Sequence, residues 1–147
     1  MRLLHVLIGS LAVLLVLGGV VPGAAAAPQT FVVHLTAAEG SCPALAAKAT
    51  GVVVFQLQDD GALTYRLVGG NIANVTAVHI HAGAPGVNGG VLIFLPLTGG
   101  DSGVLGAGTI PAAQVAPFLA RLLAGQTYVN VHTTDCPAGL LRGQIVP

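Results

Sequence analysis

Two short alternating stretches hold the residues best suited to chemistry. His79 and His81 stand in VHIHAG, and His132 stands in YVNVHT. Alternation with Val78 and Ile80 predicts a strand on which both imidazoles share one face and the aliphatic side chains take the other. Residues at i and i+2 on a strand start roughly 6.5 to 7 Å apart, so two rings can converge on an ion about 2 Å from each nitrogen. His132 shares the face of its own stretch with Asn130 and Tyr128 and supplies a third nitrogen if the two strands lie together. Three neutral imidazoles suit Zn(II) or Cu rather than Mg or Ca, which prefer oxygen. An H-x-H pair also occurs as ordinary exposed or hydrogen-bonded strand histidines, so spacing alone leaves both readings open. His34, in FVVHLT, reads either as a solvent-facing strand residue or as a further ligand. Arg142, in LLRGQI, reads as an anchor whose fork holds loop carbonyls or a carboxylate such as Asp135. With Asn130 and His34 it is a candidate for polar support around the ion.

Other chemistries find little support. Glu39, Asp59, Asp60 and Asp101 fall in turn-like contexts without an acid–base pair, and Ser41 and Ser102 lack the setting of an activated nucleophile. The Gly83–Gly90 stretch, GAPGVNGG, is followed by no lysine or helix start, so it reads as a turn beside the histidines rather than a phosphate cradle. Only 7% of the 147 residues are charged, with five Lys plus Arg against five Asp plus Glu. No basic surface is available to hold a phosphate backbone, which argues against nucleic acid as a partner.

The first residues read as targeting rather than fold. Arg2, an apolar run from Leu3 to Val21, Pro22, Gly23 and four alanines follow the order of a secretory signal. We expect residues 1–26 to form the signal and 27–147 the exported domain, because a cut after Ala27 would put Pro28 beyond the scissile bond. The run is nearly long enough to span a bilayer, so membrane attachment is expected only if the segment is not cleaved. Cleavage would leave four basic and five acidic side chains, a net charge of −1. Cys42 and Cys136 are the only cysteines. An even count in an exported domain favours a disulfide, and neither sits in a C-x-x-C pair that would suggest a zinc thiolate site.

About eight short strands are expected to position these groups: Phe31–Thr36, Gly51–Gln58, Leu63–Val68, Val75–His81, Val91–Leu95, Val104–Ile110, Tyr128–Thr133 and Leu140–Val146. Turns containing Gly, Asn, Asp or Pro separate them, and Asp59-Asp60-Gly61 predicts a hairpin between the second and third. This spacing is that of an all-β sandwich or Greek-key barrel. One short helix is expected near Pro117, with Thr109 as a possible cap for the segment and Gly125 as its stop. Phe118, Leu119, Leu122 and Leu123 are expected to cover one end of the sandwich.

The stretches His79–Val91 (HIHAGAPGVNGGV), Tyr128–Thr133 and Pro137–Ile145 (PAGLLRGQI) together resemble the CHRD domain, the module named after chordin and also found as single-domain secreted bacterial proteins. The resemblance runs from about Thr30 to Val146. It implies an immunoglobulin-like or Cu,Zn superoxide dismutase-like Greek-key sandwich and groups His79, His81 and His132 with Arg142 as marked polar positions. Leu140 stands where the family often has Glu, and the family usually lacks both cysteines. Two function classes follow: a secreted or cell-surface domain binding one Cu or Zn ion, and a metal-free extracellular module that contacts another protein or itself. A dismutase-like copper enzyme is a weaker third, since the bridging histidine and zinc-loop ligands of that enzyme are missing.

Overall fold

The computed structural model describes residues 28–37, 39–42 and 48–147, so the expected targeting segment lies outside the described residues. Eight strands appear where the alternation predicts them, within a few residues at each end. They are β1 (Gln29–Thr36), β2 (Thr50–Leu57), β3 (Leu63–Gly70), β4 (Val75–Ala82), β5 (Val91–Phe94), β6 (Gly103–Ile110), β7 (Thr127–Thr133) and β8 (Leu141–Ile145). The period of two explains them: on β1, Phe31, Val33 and Leu35 are buried while Val32, His34 and Thr36 face out. The expected hairpin joins β2 to β3. Gly61 turns with a φ of +84°, a conformation that glycine adopts without steric cost, and the Ala62 amide donates to Asp60 Oδ1 at 2.9 Å.

The strands form one curled antiparallel sheet in the order β5-β4-β7-β8-β1-β2-β3-β6. Its two halves enclose a common apolar core, with Phe31, Phe55, Leu67 and Leu105 from one and Ile80, Val129, Leu141 and Ile145 from the other. This arrangement is consistent with a β-sandwich. Where the halves join, β1 and β8 share the single register pair Thr36–Arg142. The segment after β5 approaches the other half: the Tyr65 hydroxyl donates to the Pro96 carbonyl at 2.8 Å, and the Thr98 amide to the Leu105 carbonyl at 2.9 Å.

The helical expectation needs correction. Instead of one short helix there are two one-turn helices, α1 (Ala112–Val115) and α2 (Leu119–Leu123), on either side of Pro117. Proline has no N–H and clashes with the preceding turn, so a continuous helix is broken there. Thr109 belongs to β6 and caps nothing; the residue before α1 is Pro111, with no side-chain cap. Gly125 does end the segment, with a φ of +66°. Val115, Phe118 and Leu122 join the core, whereas Leu123 is 42% exposed. The helical step of about 100° per residue turns it away once Leu122 points inward.

Cys42 and Cys136 form the expected disulfide, with a Cα–Cα distance of 6.2 Å. It fastens the stretch after β1 to the β7–β8 turn. Beside it, the Ser41 amide donates to the Gly139 carbonyl at 2.8 Å and the Ser41 hydroxyl to the Ala138 carbonyl at 3.2 Å.

Candidate metal centre

Antiparallel pairing of β4, β7 and β8 brings the polar residues into adjoining rows. His81 lies opposite Tyr128, which lies opposite Gln144; His79 lies opposite Asn130, which lies opposite Arg142; Ala77 lies opposite His132. The reverse face of these strands carries Val78, Ile80, Val129, Val131, Leu141 and Ile145, all buried in the core. Burial of that apolar set fixes the register, because a slip of one residue would move it to the outer face and the histidines inward. On the other side, Phe94 of β5 pairs with His79 and packs edge-on against its ring at 4.3 Å.

The three histidines come together. The ring centres of His79 and His132 are 4.7 Å apart, those of His79 and His81 5.5 Å, and those of His81 and His132 6.0 Å. One ligand nitrogen from each ring lies within 4.8 Å of the others. A tetrahedral ion bound at 2.0 to 2.1 Å would space its nitrogens roughly 3.3 Å apart, so small side-chain rotations would draw the rings onto it. His81 Nδ1 is 3.0 Å from the Gly89 carbonyl and His132 Nδ1 is 2.9 Å from the Pro137 carbonyl. A carbonyl oxygen only accepts, so in both rings Nδ1 carries the proton and Nε2 keeps its lone pair. The Nε2 atoms of all three histidines are buried without a hydrogen-bond partner, as is Nδ1 of His79. Orphaned buried nitrogens are costly, and a metal ion would satisfy them.

Burial, followed by the nearby His132 and His81, pushes the His79 imidazole down to about 4 from an ordinary 6.5. Burial likewise lowers His81, with the Gly89 hydrogen bond opposing and His132 and Arg142 adding to the shift. At neutral pH both rings are therefore neutral and need shed no proton to bind a metal. Between pH 6.5 and about 4 the unfolded chain takes up a proton at His79 that the folded protein refuses, so stability must rise with pH across that window. Denaturant midpoints of the metal-free protein at pH 4.5, 5.5 and 7 should increase in that order, with a smaller increase in His79→Gln. A midpoint independent of pH would contradict the buried, neutral state of this ring.

Two loops hold the ring-orienting carbonyls. The 83–90 loop is fastened by Arg142, whose Nη1 donates to Asn88 Oδ1 at 2.8 Å and whose Nη2 donates to the Val87 carbonyl at 3.0 Å and the Ala84 carbonyl at 3.3 Å. Its guanidinium lies 3.5 Å from the centre of the Tyr128 ring, and Tyr128 stacks on His81 at 4.9 Å. Of the two anchoring roles expected for Arg142, the grip on loop carbonyls is the one found; Asp135 is not among its partners. Asn130 lies beside the cluster, with its Nδ2 donating weakly to the Ala138 carbonyl at 3.5 Å and its buried Oδ1 unpaired. His34 is not brought to the group: it lies exposed on β1 opposite Val52. On the second loop, Gly139 has a φ of +113°, and a Cβ there would run into the Asn130 amide. Gly139→Ala should cost about 1 to 3 kcal/mol through backbone strain and overpacking. An unchanged denaturant midpoint would show that the loop does not press on Asn130.

The CHRD domain family model matches residues 31–145, almost all of the described structure. The chain belongs to the CHRD family. No curated protein and no solved structure matches it. Within this CHRD domain, the VHIHAG and YVNVHT stretches furnish the histidines, and the Pro137–Ile145 stretch furnishes both the His132-orienting carbonyl and Arg142. The roles of Gly89 and Pro137 lie in backbone oxygens, which no residue type announces. Phe94 carries no ligand chemistry of its own, and its place beside His79 depends on a register shift between Ile80 and His81.

Proposed function

We propose that this CHRD domain is an exported metal-binding module that holds one Cu or Zn ion through the Nε2 atoms of His79, His81 and His132. The observation carrying this reading is that three buried Nε2 atoms are unpartnered while carbonyls fix the protons of two of the rings on Nδ1. Export is supported by the signal-like order of residues 1–26 and by the disulfide, a bond that persists in oxidising compartments. Cu and Zn are favoured over hard cations because the donor set is nitrogen with no carboxylate. Calorimetric titration of the metal-free protein with Zn(II), and separately with Cu(II), should give one ion per chain. A stoichiometry near zero for both would overturn the reading.

A second reading, a metal-free module that contacts another protein or itself, is favoured by the apolar rim beside the histidines. Phe94 is 65% exposed, Val87 55% and Val91 46%. Under that reading Phe94→Ser would abolish self-association in sedimentation, while alanine at the histidines would leave it intact. Superoxide decay at only the background rate on copper-loaded protein would remove the dismutase-like possibility.

A further inference from the structure

Beside the histidines the fold buries a cation without a counterion. Arg142 is 5% exposed, and a buried charge ordinarily has an opposite charge next to it. The chain has five carboxylate side chains, Glu39, Asp59, Asp60, Asp101 and Asp135, all within the described residues. None is a partner of Arg142, whose acceptors are the neutral oxygens of Ala84, Val87, Asn88 and Gln144. Those bonds occupy one Nη1–H and both Nη2–H groups, leaving Nε–H and the other Nη1–H without an acceptor among the described residues. Arg142 also lines a cleft of about 580 Å³ between residues 39–41 and the 83–90 loop. Asn88, Gln144 and Ser41 supply neutral polar groups to that cleft, and the exposed Glu39 is its one acidic group.

We propose that this cleft binds a small monocarboxylate, with the carboxylate set against Arg142 and, in ligands that also carry an amine, the amine set toward Glu39. The spare Nε–H can donate to one carboxylate oxygen, and the bound anion would supply the missing counterion. The charges in the cleft select a singly charged group: one cation attracts it, while the Glu39 carboxylate repels the second charge of a phosphate dianion. The amine of a small amino acid turns that repulsion into attraction. The site requires no metal and stands whether or not the histidines bind one.

The test is an NMR titration of the disulfide-bonded, metal-free protein with sodium acetate, glycine and inorganic phosphate, each against sodium chloride at equal ionic strength. Acetate and glycine should shift the backbone amides of Ser41, Asn88 and Gln144 saturably, with phosphate at least tenfold weaker. Arg142→Gln should weaken both carboxylates at least tenfold. Because that variant removes a buried anchor and can misfold, the exposed Glu39→Gln provides an independent arm: it should tighten acetate and weaken glycine, each severalfold. Shifts no larger than those from chloride, phosphate binding as tight as acetate, or a Glu39→Gln variant with unchanged affinity for both carboxylates would each overturn the proposal.

Discussion

Alanine at both His79 and His81 is expected to abolish metal binding while leaving the metal-free domain folded. Loss of a group that merely orients a ligand typically costs 10- to 100-fold in affinity, so removing two of three ligands should exceed about 100-fold. Stability should respond differently. The substitutions delete three of the buried nitrogens that lack partners, together with one hydrogen bond to the Gly89 carbonyl and the stacking on Tyr128. Relief of the orphaned nitrogens offsets the lost contacts, and the net change should lie within about 1 to 2 kcal/mol. Calorimetry and denaturant unfolding on the same preparations separate the two effects. A large fall in stability with metal affinity preserved would make the histidines structural and contradict their assignment as ligands.

Removal of the disulfide should have the largest effect on stability. Cys42 and Cys136 are 94 residues apart in sequence, and the chain-entropy argument gives about 4 to 5 kcal/mol for closing such a loop. That is a large part of the 5 to 15 kcal/mol typical of a folded domain. Cys42→Ala/Cys136→Ala should therefore unfold at a much lower denaturant concentration, as should the wild type under a strong reductant. The bond also bears on the metal centre, because Cys136 immediately precedes Pro137, whose carbonyl orients His132. Metal affinity of the folded double variant should fall by about 10-fold, in the range for loss of an orienting contact. An unfolding free energy within about 1 kcal/mol of wild type would contradict the role of the long-range staple.

Local pattern carried much of this architecture. Alternation along VHIHAG and YVNVHT put the histidines on one face because Val78, Ile80, Val129 and Val131 had to face the core. The even cysteine count anticipated the disulfide, and Asp60-Gly61 anticipated the β2–β3 hairpin. What local pattern did not contain was adjacency between distant segments. That β4 lies beside β7, placing His132 near His79, follows from how the chain crosses between the two halves of the sheet. His34 sits on an equally regular strand, yet β1 occupies another part of the sheet, and no local signal distinguishes the two cases. The break at Pro117 was legible from its missing N–H, and α2 follows it as expected; what the pattern did not contain was that the stretch before it closes a helical turn of its own, α1. Backbone carbonyls at Gly89 and Pro137, which set the ring tautomers, are legible only once the loops are folded over the strands.

The most direct test of the metal centre is a crystal structure of the protein soaked with Zn(II), read through the anomalous signal of the ion. One ion should lie between β4 and β7, about 2.0 to 2.1 Å from Nε2 of His79, His81 and His132, with the Nδ1 contacts to Gly89 and Pro137 retained. An ion bound elsewhere, or three imidazoles unmoved and unligated at saturating zinc, would contradict the assignment.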